Sequence, residues 1–542
     1  MGLGCMRLPD DEELAFSTIA AAAEAGITVF DTARAYDGNE RLLARALRAC
    51  GAEARARVVT KGGMTRPDGA WVPDGRAKAI RADCEASLAA LDGLPIDLYL
   101  LHAPDQRTPW KTSVRALARL ADEGLVRRVG VANANRVQLD EALELAPIAA
   151  VQVALGILDD RAVRGGVVER CEEAGIAVVA HSPLGGPGRV GALARHEALA
   201  EIARARDASP AEVALAWLLD RSPAVVAIPG ARRPETARSS ARAATLVLDD
   251  RDRARLGPTA DVRRSRPRID ADVVVVMGIP GAGKTLLAEE YVARGYARLN
   301  RDERGGSLRE LARDLDDRLA AGGRQVVLDN TYLTRGARSY VLEAAGRHGA
   351  PARCVWLDTP LAQAQVNMVE RFLDRLGSLP TPDELRALAR RDVGLLAPTS
   401  QMRALRELEP PSTDEGWTAV EHVAFERAAP TDGTRAGVLV AAAAVRAGWE
   451  SPDPDAPHLV FDWQPEGAAA EAVGLPVTGP VEVAVCTHPA GPPTCWCRPP
   501  LPGLPLAFAR KHGVDPARSI LVGTSPAHRT LATTLGARYV AV

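Results

Sequence analysis

The first half of the chain alternates short apolar runs with longer Ala- and Leu-rich stretches of helical period. Runs that are apolar throughout are typical of parallel strands whose two faces are both buried. Eight such runs occur, each with a helical pattern after it: GLGCM, ITVFDTA, RVVTKGG, IDLYLLHA, RVGVANA, AAVQVAL, IAVVAHSPL and VVAIPGA. Eight strand–helix repeats within residues 1–257 have the count and the size of a (β/α)8 TIM barrel, which is the α/β fold we predict there.

Three further segments follow the predicted barrel. Residues 258–270 are polar, contain Arg and Pro and have no periodicity, so they are predicted to be a linker. The apolar run DVVVVMG then opens a region predicted to be a doubly wound parallel-sheet domain over residues 271–408. After the Pro-rich break ELEPPSTDEGW, short apolar runs such as HLVFDW and SILVGTS indicate a smaller α/β domain over residues 409–542.

Length and charge limit the classes of function. A chain of 542 residues is too long for one hydrophobic core, so we expect several domains. The formal net charge of −2 at pH 7 offers no global positive field, so any nucleic-acid site must be local. The sequence has no apolar run of about 18 residues and no basic start of a signal peptide, so we expect no membrane span. Because most of the cysteines are scattered, we expect a cytoplasmic protein.

The choice of basic residue gives a further clue. Only five lysines accompany the many arginines: Lys61, Lys78, Lys111, Lys284 and Lys511. Where Arg serves for ordinary surface charge, a Lys marks a position that needs a compact ammonium group whose pKa can shift. Two of these lysines, Lys61 and Lys284, fall in motifs that carry chemistry.

Polar side chains stand at the ends of consecutive predicted barrel strands. Asp31, Lys61 and His102 end three of the apolar runs, and Tyr36 follows Asp31 by five residues. Because barrel chemistry sits where the strands end, the four are predicted to converge on one pocket. Lys61 is predicted to lower the pKa of Tyr36, and Asp31 to keep Lys61 charged. Tyr36 would then donate a proton to a carbonyl oxygen. The alternative is a buried Asp–Lys ion pair beside an unrelated Tyr and His.

Seven stretches of the predicted barrel carry a family resemblance: GLGCMRL, GITVFDTARAYDGNERLL, VVTKGG, DLYLLHAPD, EGLVRRVGVANA, AVVAHSPLGG and AIPGARRPE. Through them residues 1–257 resemble the aldo-keto reductase family. The resemblance implies an NADPH-dependent carbonyl reductase whose catalytic tetrad is Asp31, Tyr36, Lys61 and His102. It also implies NADPH contacts at Asn133, Gln152, His181, Ser182, Pro183, Leu184, Ile228, Pro229, Gly230, Ala231 and Arg232.

Two positions depart from the pattern of that family. Ala132-Asn133 stands where the family has Ser-Asn, and Ser239-Ser240 stands where it has an acidic residue and Asn near the adenine. Both departures concern the affinity for the cofactor rather than the fold. The alternative is therefore a barrel that binds NADPH as a sensor without turnover. The sequence identifies neither the carbonyl substrate nor the oligomeric state.

The second region opens with the phosphate-binding motif GIPGAGKT, which follows an apolar strand and precedes a helical run. Gly278, Gly281 and Gly283 let backbone N–H groups wrap around phosphates at the N-terminus of the helix. Lys284 is predicted to reach the β- and γ-phosphates of ATP, and the Thr285 hydroxyl to ligate Mg²⁺. This motif predicts a P-loop domain that binds ATP.

Three more residues complete the predicted kinase site. Asp302 suits a base for an acceptor hydroxyl, and Asp329 suits the metal shell or the orientation of the substrate. Arg371 suits a lid arginine that neutralises the transferring phosphoryl group. With the stretches ARLNRDERGG, VVLDNTYLTRGAR and VNMVERFLDRLG, residues 271–408 resemble the P-loop polynucleotide 5′-hydroxyl kinases. The resemblance implies an RNA or DNA 5′-hydroxyl as acceptor, with its phosphate facing Arg335 and Arg338.

The acceptor remains open because this region has no basic stripe with interleaved aromatic residues. A nucleoside or small-molecule kinase is the alternative to a polynucleotide kinase that heals nucleic-acid ends. A non-enzymatic scaffold that binds nucleotides is a further alternative.

A cysteine cluster marks the last region. Cys486, His488, Cys495 and Cys497 lie in the run CTHPAGPPTCWCRPP and offer three thiolates and an imidazole. Such a set closes a tetrahedral Zn²⁺ site with no position left for water, so a structural zinc is predicted. A disulfide or free thiols are the alternatives.

The surrounding sequence resembles haloacid dehalogenase-like phosphatases that act on histidinol phosphate or heptose bisphosphate. Their catalytic carboxylates are replaced in this chain: Ala441 and Ala443, or Pro430 and Asp432, stand where the resemblance expects two aspartates. Pro499, Thr524 and His528 replace the expected lysine and two further acids. Without an Asp nucleophile no phosphoaspartate forms, so we predict a phosphatase-like domain that lacks phosphatase activity.

Overall fold

The computed structural model describes residues 1–186, 190–256, 269–388, 394–424, 435–465 and 475–542. The chain forms two units, Met1–Asp261 and Val262–Val542. Most of the predicted linker, and also Pro430 and Asp432, lie outside the described residues. In the described ranges, no helix has the length and apolar character needed to cross a membrane.

The first unit is built from alternating strands and helices. Its strands are β1 Gly2–Gly4, β2 Val29–Asp31, β3 Arg57–Gly62, β4 Met64–Thr65, β5 Val72–Pro73, β6 Ile96–Leu101, β7 Val129–Ala132, β8 Ile148–Ala154, β9 Ala177–His181 and β10 Val225–Ala227. Its helices are α1 Glu12–Glu24, α2 Asn39–Ala49, α3 Ala77–Leu91, α4 Trp110–Asp122, α5 Arg136–Leu145, α6 Arg161–Arg164, α7 Val167–Ala174, α8 Val190–Ala194, α9 Glu197–Ala205, α10 Pro210–Asp220, α11 Pro234–Arg242 and α12 Asp250–Leu256.

Eight of these strands pair in parallel in the order β1-β2-β3-β6-β7-β8-β9-β10. A parallel bridge between Gly4 and Gly230 joins the first strand to the segment after the last, so the sheet nearly closes on itself. β4 and β5 form a separate antiparallel hairpin after β3. The TIM barrel predicted from the eight apolar runs is confirmed.

The alternation along β6 shows why its sequence is apolar throughout. Leu98 and Leu100 pack inside the barrel against Val59 and Val179. Tyr99 and Leu101 point to the opposite face and join the layer between the strands and the helices. Both faces of the strand are therefore buried, which leaves polar side chains for the strand ends.

The second unit holds two parallel sheets. The strands are β11 Asp272–Met277, β12 Ala297–Leu299, β13 Gln325–Asp329, β14 Ala352–Asp358, β15 Ala419–Ala424, β16 Val438–Ala441, β17 His458–Trp463, β18 Val481–Cys486, β19 Ile520–Gly523 and β20 Arg538–Ala541. The helices are α13 Lys284–Ala293, α14 Arg301–Arg304, α15 Leu308–Ala320, α16 Arg335–Arg347, α17 Leu361–Leu376, α18 Pro382–Leu388, α19 Pro398–Glu407, α20 Ala442–Arg446, α21 Gly503–His512 and α22 Pro526–Leu535.

The first of these sheets has the order β12-β13-β11-β14-β15. Its edge strand β15 pairs with β14 from Arg353↔Ala419 to Asp358↔Ala424. The domain boundary predicted at residue 408 is therefore too early, since the Pro-rich segment after it leads back to the same sheet rather than to a new one.

The second sheet has the order β18-β17-β16-β19-β20, the 3-2-1-4-5 arrangement of doubly wound folds. A shared hydrophobic core connects it to the P-loop region. Phe372 of α17 and Leu395 belong to this core together with Phe461, Trp496 and Phe508 of the C-terminal sheet domain. The two sheets consequently form one packed unit.

Candidate active sites

A cavity of about 640 Å³ lies at the carboxyl ends of the barrel strands. It is lined by Asp31, Tyr36 and His102. Lys61 does not line the cavity itself, but its ammonium group binds the carboxylate of Asp31. Every predicted cofactor contact except the buried Ala231 also lines it: Asn133, Gln152, His181, Ser182, Pro183, Leu184, Ile228, Pro229, Gly230 and Arg232. The predicted catalytic residues and the predicted cofactor contacts therefore meet at one cavity, where the barrel strands end.

A buried ion pair forms the base of this cavity. Lys61 Nζ donates to both carboxylate oxygens of Asp31 at 2.8 and 2.7 Å and to the carbonyl of Thr32 at 2.8 Å. Gln152 Nε2 donates to Asp31 Oδ1 at 2.7 Å. Burial is the largest effect on Lys61 and by itself lowers its pKa, but the charges and hydrogen bonds of Asp31 and Tyr36 together raise the pKa above its ordinary value. Lys61 therefore stays cationic although it is 1% exposed.

Tyr36 lies directly above this pair, with its ring centroid 5.2 Å from Lys61 Nζ. The lowered pKa predicted for Tyr36 is wrong for this structure. Burial is the largest effect and raises the pKa of the phenol, Asp31 adds to the rise, and the net pKa is raised although Lys61 lowers it. A phenol with a raised pKa is fully protonated at neutral pH, so Tyr36 has a proton to donate.

His102 is neutral in this cavity. Burial, together with the positive charge of Lys61, lowers the pKa of its imidazole to about 3. Its ring lies edge-on to Tyr36 at 5.7 Å between centroids. Among the described residues, the buried Nδ1 of His102 finds no hydrogen-bond partner. A neutral imidazole beside a phenol can orient a polar substrate atom, but it does not serve as the acid at working pH.

The other end of the cavity is shaped by two strained residues. Asn133 and Ser182 have φ values of 57° and 51°, in the left-handed region that non-glycine residues rarely adopt. His181 connects them, with Nε2 3.1 Å from Asn133 Oδ1 and Nδ1 3.2 Å from Ser182 Oγ. Such strain is typical of positions that hold a ligand. Ser239, which departs from the family pattern, donates to Glu212 at 2.8 Å and so has a partner inside the protein.

The structure also adds residues that the sequence reasoning missed. Met6, Arg7, Met64 and Trp71 line the cavity. The ring of Trp71 lies 5.6 Å from His102 and 6.1 Å from Tyr36. The place of Trp71 in the sequence could have indicated its role, because Trp71 belongs to the loop that follows β3, the strand that carries Lys61.

In the second unit, a cavity of about 240 Å³ forms around the P-loop. It brings together most of the residues predicted there: Gly281, Gly283, Lys284, Thr285, Asp302, Asp329 and Arg371. Gly278 lies at the start of the loop, where its φ of 154° lets the chain leave β11.

Side chains from outside the loop hold its carbonyl groups. Gln401 Nε2 donates to Pro280 O at 2.8 Å, and Asn367 Nδ2 donates to Gly281 O at 2.8 Å. Thr359 Oγ1 donates to Ala282 O at 3.0 Å. In a trans peptide the N–H that follows each carbonyl points the opposite way, so these contacts aim amides toward the cavity. A Cβ on Gly281 would collide with the carbonyl of Ala364, so only glycine fits there.

Lys284 is adapted to an anionic ligand. Burial, aided by Arg371, lowers the pKa of Lys284 to about 8, and its Nζ donates to the carbonyl of Ile279 at 2.9 Å. An anion in the cavity would favour the charged form of the ammonium. A partly buried cation whose close contact is a neutral carbonyl is the arrangement expected of a phosphate-binding lysine.

The two predicted acids have different surroundings. Asp329 is 1% exposed and accepts hydrogen bonds from Arg298 at 2.8 Å and from Asn300, while burial raises its pKa. The side chain of Asp302 is 47% exposed, at the start of α14. Asp302 is therefore open to an incoming hydroxyl group, and Asp329 is engaged by its neighbours.

Arg371 projects from α17 into the same cavity. Its NH1 donates to the carbonyl of Gly394 at 3.1 Å, and Gly394 lines the cavity as well. The guanidinium is thus fixed across from the P-loop, where a lid arginine is expected.

The two arginines predicted to face an acceptor phosphate have different surroundings. Arg338 is fully buried and donates to Glu415 at 2.8 and 2.5 Å. Arg335 pairs with Asp414 at 2.7 Å. The expectation that Arg338 faces an acceptor phosphate is wrong, because its charge is paired inside the protein. Removing one partner of such a buried pair costs about 3–5 kcal/mol of folding stability, so Arg338 has a structural role. For Arg335, whose partner Asp414 has a 47% exposed side chain, that role at the acceptor phosphate stays a prediction.

The predicted metal ligands of the last domain converge. The donor atoms of Cys486, His488, Cys495 and Cys497 all lie within 4.8 Å of one another. Cys486 Sγ is 3.7 Å from Cys495 Sγ and 3.3 Å from Cys497 Sγ. Thiolates around a tetrahedral Zn²⁺ would be about 3.8 Å apart, so the spacing and the donor set fit that ion.

Comparison with known proteins gives two matched stretches. Residues 1–257 match the model of the aldo/keto reductase family, and residues 273–384 match a model described as an AAA domain. The chain is 30% identical over 279 residues to "Uncharacterized oxidoreductase C215.11c" of Schizosaccharomyces pombe, covering 49% of this chain and 88% of that protein. It is 32% identical over 289 residues to "Probable aldo-keto reductase 1" of Glycine max, covering 46% and 82%.

A solved structure is also similar to part of the chain. An aldo-keto reductase from Klebsiella pneumoniae, determined in complex with NADPH, is 29% identical, with a TM-score of 0.41. The match covers 47% of this chain and 88% of that chain.

Proposed function

Through residues 1–257 the chain belongs to the aldo/keto reductase family, and we propose that its barrel reduces a carbonyl compound with NADPH. The observation that carries the proposal is the buried Asp31–Lys61 pair beneath the protonated phenol of Tyr36. When bound, NADPH supplies the hydride. Asn133, Gln152 and His181 are proposed to hold its nicotinamide end, and Arg232 to pair with the 2′-phosphate.

Each polar residue of the cavity has a separate role in the transfer of a proton to the substrate. Tyr36 donates its proton to the carbonyl oxygen of the substrate. The charge of Lys61 stabilises the phenolate that remains, and Asp31 keeps that charge in place. The neutral imidazole of His102 orients the substrate oxygen from the other side. Trp71 covers the cavity and limits the access of water.

Tyr36→Phe tests this proposal. We expect the rate of NADPH consumption with a panel of aldehydes to fall by about 10²–10⁴, because the proton donor is lost. The affinity for NADPH, measured by fluorescence titration, should not change. With the wild-type chain the rate should stay flat between about pH 5 and 8, since His102 does not titrate there.

Tyr99→Phe is the matched control, because Tyr99 donates its hydroxyl to the carbonyl of Ile80 away from the cavity. Consumption that survives Tyr36→Phe would contradict the assignment of the acid. Tight NADPH binding without consumption of any aldehyde would instead favour a sensor.

We further propose that the P-loop domain is an ATP-dependent kinase that phosphorylates a hydroxyl group. The supporting observation is one cavity that combines Lys284, Asp302 and Arg371. Backbone amides and Lys284 would hold the phosphates of ATP, and the Thr285 hydroxyl would ligate Mg²⁺, which adds positive charge at the transferring phosphate. Asp302 accepts the proton of the acceptor hydroxyl, and Arg371 neutralises charge on the transferring group.

Two classes of acceptor remain in this proposal. The sequence resemblance favours a polynucleotide 5′-hydroxyl, which would make the chain an enzyme that heals nucleic-acid ends. The internal ion pairs of Arg335 and Arg338 favour a smaller acceptor, because these two arginines are engaged by Asp414 and Glu415. A nucleoside or another small alcohol is therefore the second candidate.

An acceptor panel tests the kinase. Labelled ATP and Mg²⁺ are mixed with the full chain and with 5′-hydroxyl RNA, 5′-hydroxyl DNA or nucleosides. We expect transfer to the oligonucleotides, its loss in Lys284→Ala, and a decrease of about 10²–10⁴ in Asp302→Asn with unchanged ATP affinity. Lys511→Ala is the control, because Lys511 pairs with Glu482 away from this cavity.

Transfer to nucleosides alone would replace the polynucleotide by the small-molecule acceptor. The kinase assignment is wrong if no compound is phosphorylated, or if Lys284→Ala transfers phosphate as well as the wild-type chain.

For the C-terminal domain we propose a structural zinc site without phosphatase activity. Cys486, His488, Cys495 and Cys497 would hold the ion and close its coordination shell. Ala441 ends β16, the strand on which the resemblance expects a nucleophilic aspartate. Thiolate ligands are compatible with the reducing cytoplasm that we expect for the protein.

Elemental analysis tests the metal site. We expect about one zinc per chain, absent in Cys495→Ser and retained in Cys354→Ser, a control at a buried cysteine of β14. Zinc in both variants would contradict the proposed ligand set. Hydrolysis of phosphate monoesters by the full chain would contradict the loss of phosphatase chemistry.

A further inference from the structure

Trp496 stands between the two cysteines Cys495 and Cys497 of the predicted metal loop, yet its side chain packs against the P-loop region. It is 1% exposed. Its indole Nε1 donates to the carbonyl of Leu396 at 3.2 Å, and its ring lies 6.0 Å from that of Phe372. A tryptophan in a short Pro-rich loop therefore connects the C-terminal domain to residues of the other sheet.

Both partners of Trp496 are connected to the predicted catalytic arginine, one along its helix and the other through the P-loop cavity. Phe372 follows Arg371 directly on α17, and Leu396 lines the P-loop cavity. Arg371 itself donates to the carbonyl of Gly394, two residues before Leu396. Arg371 and Trp496 thus hold the same short segment, at Gly394 and at Leu396 respectively.

The loop that carries Trp496 is itself fixed from several directions. Trp463 Nε1 donates to the carbonyl of His488 at 2.9 Å, and Arg498 donates to the carbonyl of Pro489 at 2.9 Å. The nitrogen of Gly503, at the start of α21, donates to the carbonyl of Trp496 at 3.1 Å. Trp496 is consequently held in one orientation by the domain from which it projects.

We propose that Trp496 is a positioning residue for phosphoryl transfer, which sets the guanidinium of Arg371 through Phe372 and the Gly394–Leu396 segment. The proposal rests on the kinase function proposed above. A charge-stabilising group acts only if it is held in place before the transition state forms, so a support on the segment that binds Arg371 affects the rate. The C-terminal domain would then serve the kinase site although we predict no phosphatase activity for it.

A double-mutant cycle tests this role. Trp496→Phe keeps an aromatic ring and removes the N–H donor to Leu396. We expect kcat for phosphoryl transfer to fall about tenfold, the size of one lost hydrogen bond, while KM for ATP stays unchanged because the P-loop is held by Gln401 and Asn367. In the Arg371→Ala background the same substitution should cause no further decrease, since its effect passes through Arg371.

Hydrogen exchange gives a readout that does not depend on activity. Peptides that contain Leu396 should exchange faster in Trp496→Phe than in the wild-type chain, whereas barrel peptides should not change. Trp449→Phe is the matched control, because Trp449 packs in a different cluster of the same domain. Its transfer rate and its exchange near Leu396 should equal those of the wild type.

Equal decreases of kcat in the wild-type and Arg371→Ala backgrounds would overturn the proposal, as would unchanged exchange near Leu396. These outcomes differ from a failure of the kinase function itself, in which the wild-type chain phosphorylates no acceptor.

Discussion

A lysine charge buried in the barrel and balanced by one carboxylate is the constraint on which the reductase site depends. Lys61 is 1% exposed and meets Asp31 through two short contacts. Each partner alone would be a buried, uncompensated charge, which proteins rarely tolerate. The pair joins β2 to β3, and Gln152 ties it to β8. The same contacts that stabilise neighbouring strands thus place a cation beneath Tyr36.

The balance of buried charge also separates structural from functional cations in the second unit. Arg338 is paired with the carboxylate of Glu415, so its charge is satisfied within the fold. Lys284 contacts the neutral carbonyl of Ile279, and burial lowers its pKa to about 8. A cation that is paired as Arg338 is stabilises the fold. A cation that contacts only neutral groups, as Lys284 does here, is stabilised when an anion binds, as a nucleotide site requires.

Sequence patterns predicted the barrel because burial on both faces of a parallel strand leaves a continuous apolar run. They also predicted which residues meet, since Asp31, Lys61 and His102 stand at strand ends. The direction of the pKa shift of Tyr36 was not predictable, because it depends on how much water the folded cavity excludes. Arg338 was misassigned because its partner Glu415 lies 77 residues away in the chain.

The pH dependence of carbonyl reduction in Asp31→Asn tests most directly whether the buried Asp31–Lys61 pair controls the site. In the wild-type barrel Asp31 raises the pKa of Lys61, so the cation persists at alkaline pH. Without the carboxylate, burial would lower the pKa of Lys61, and the rate should fall as the pH rises through this new value. We predict such an alkaline loss in Asp31→Asn and a flat profile in the wild-type chain. Identical profiles for the two proteins would contradict the claim that the buried pair controls the site.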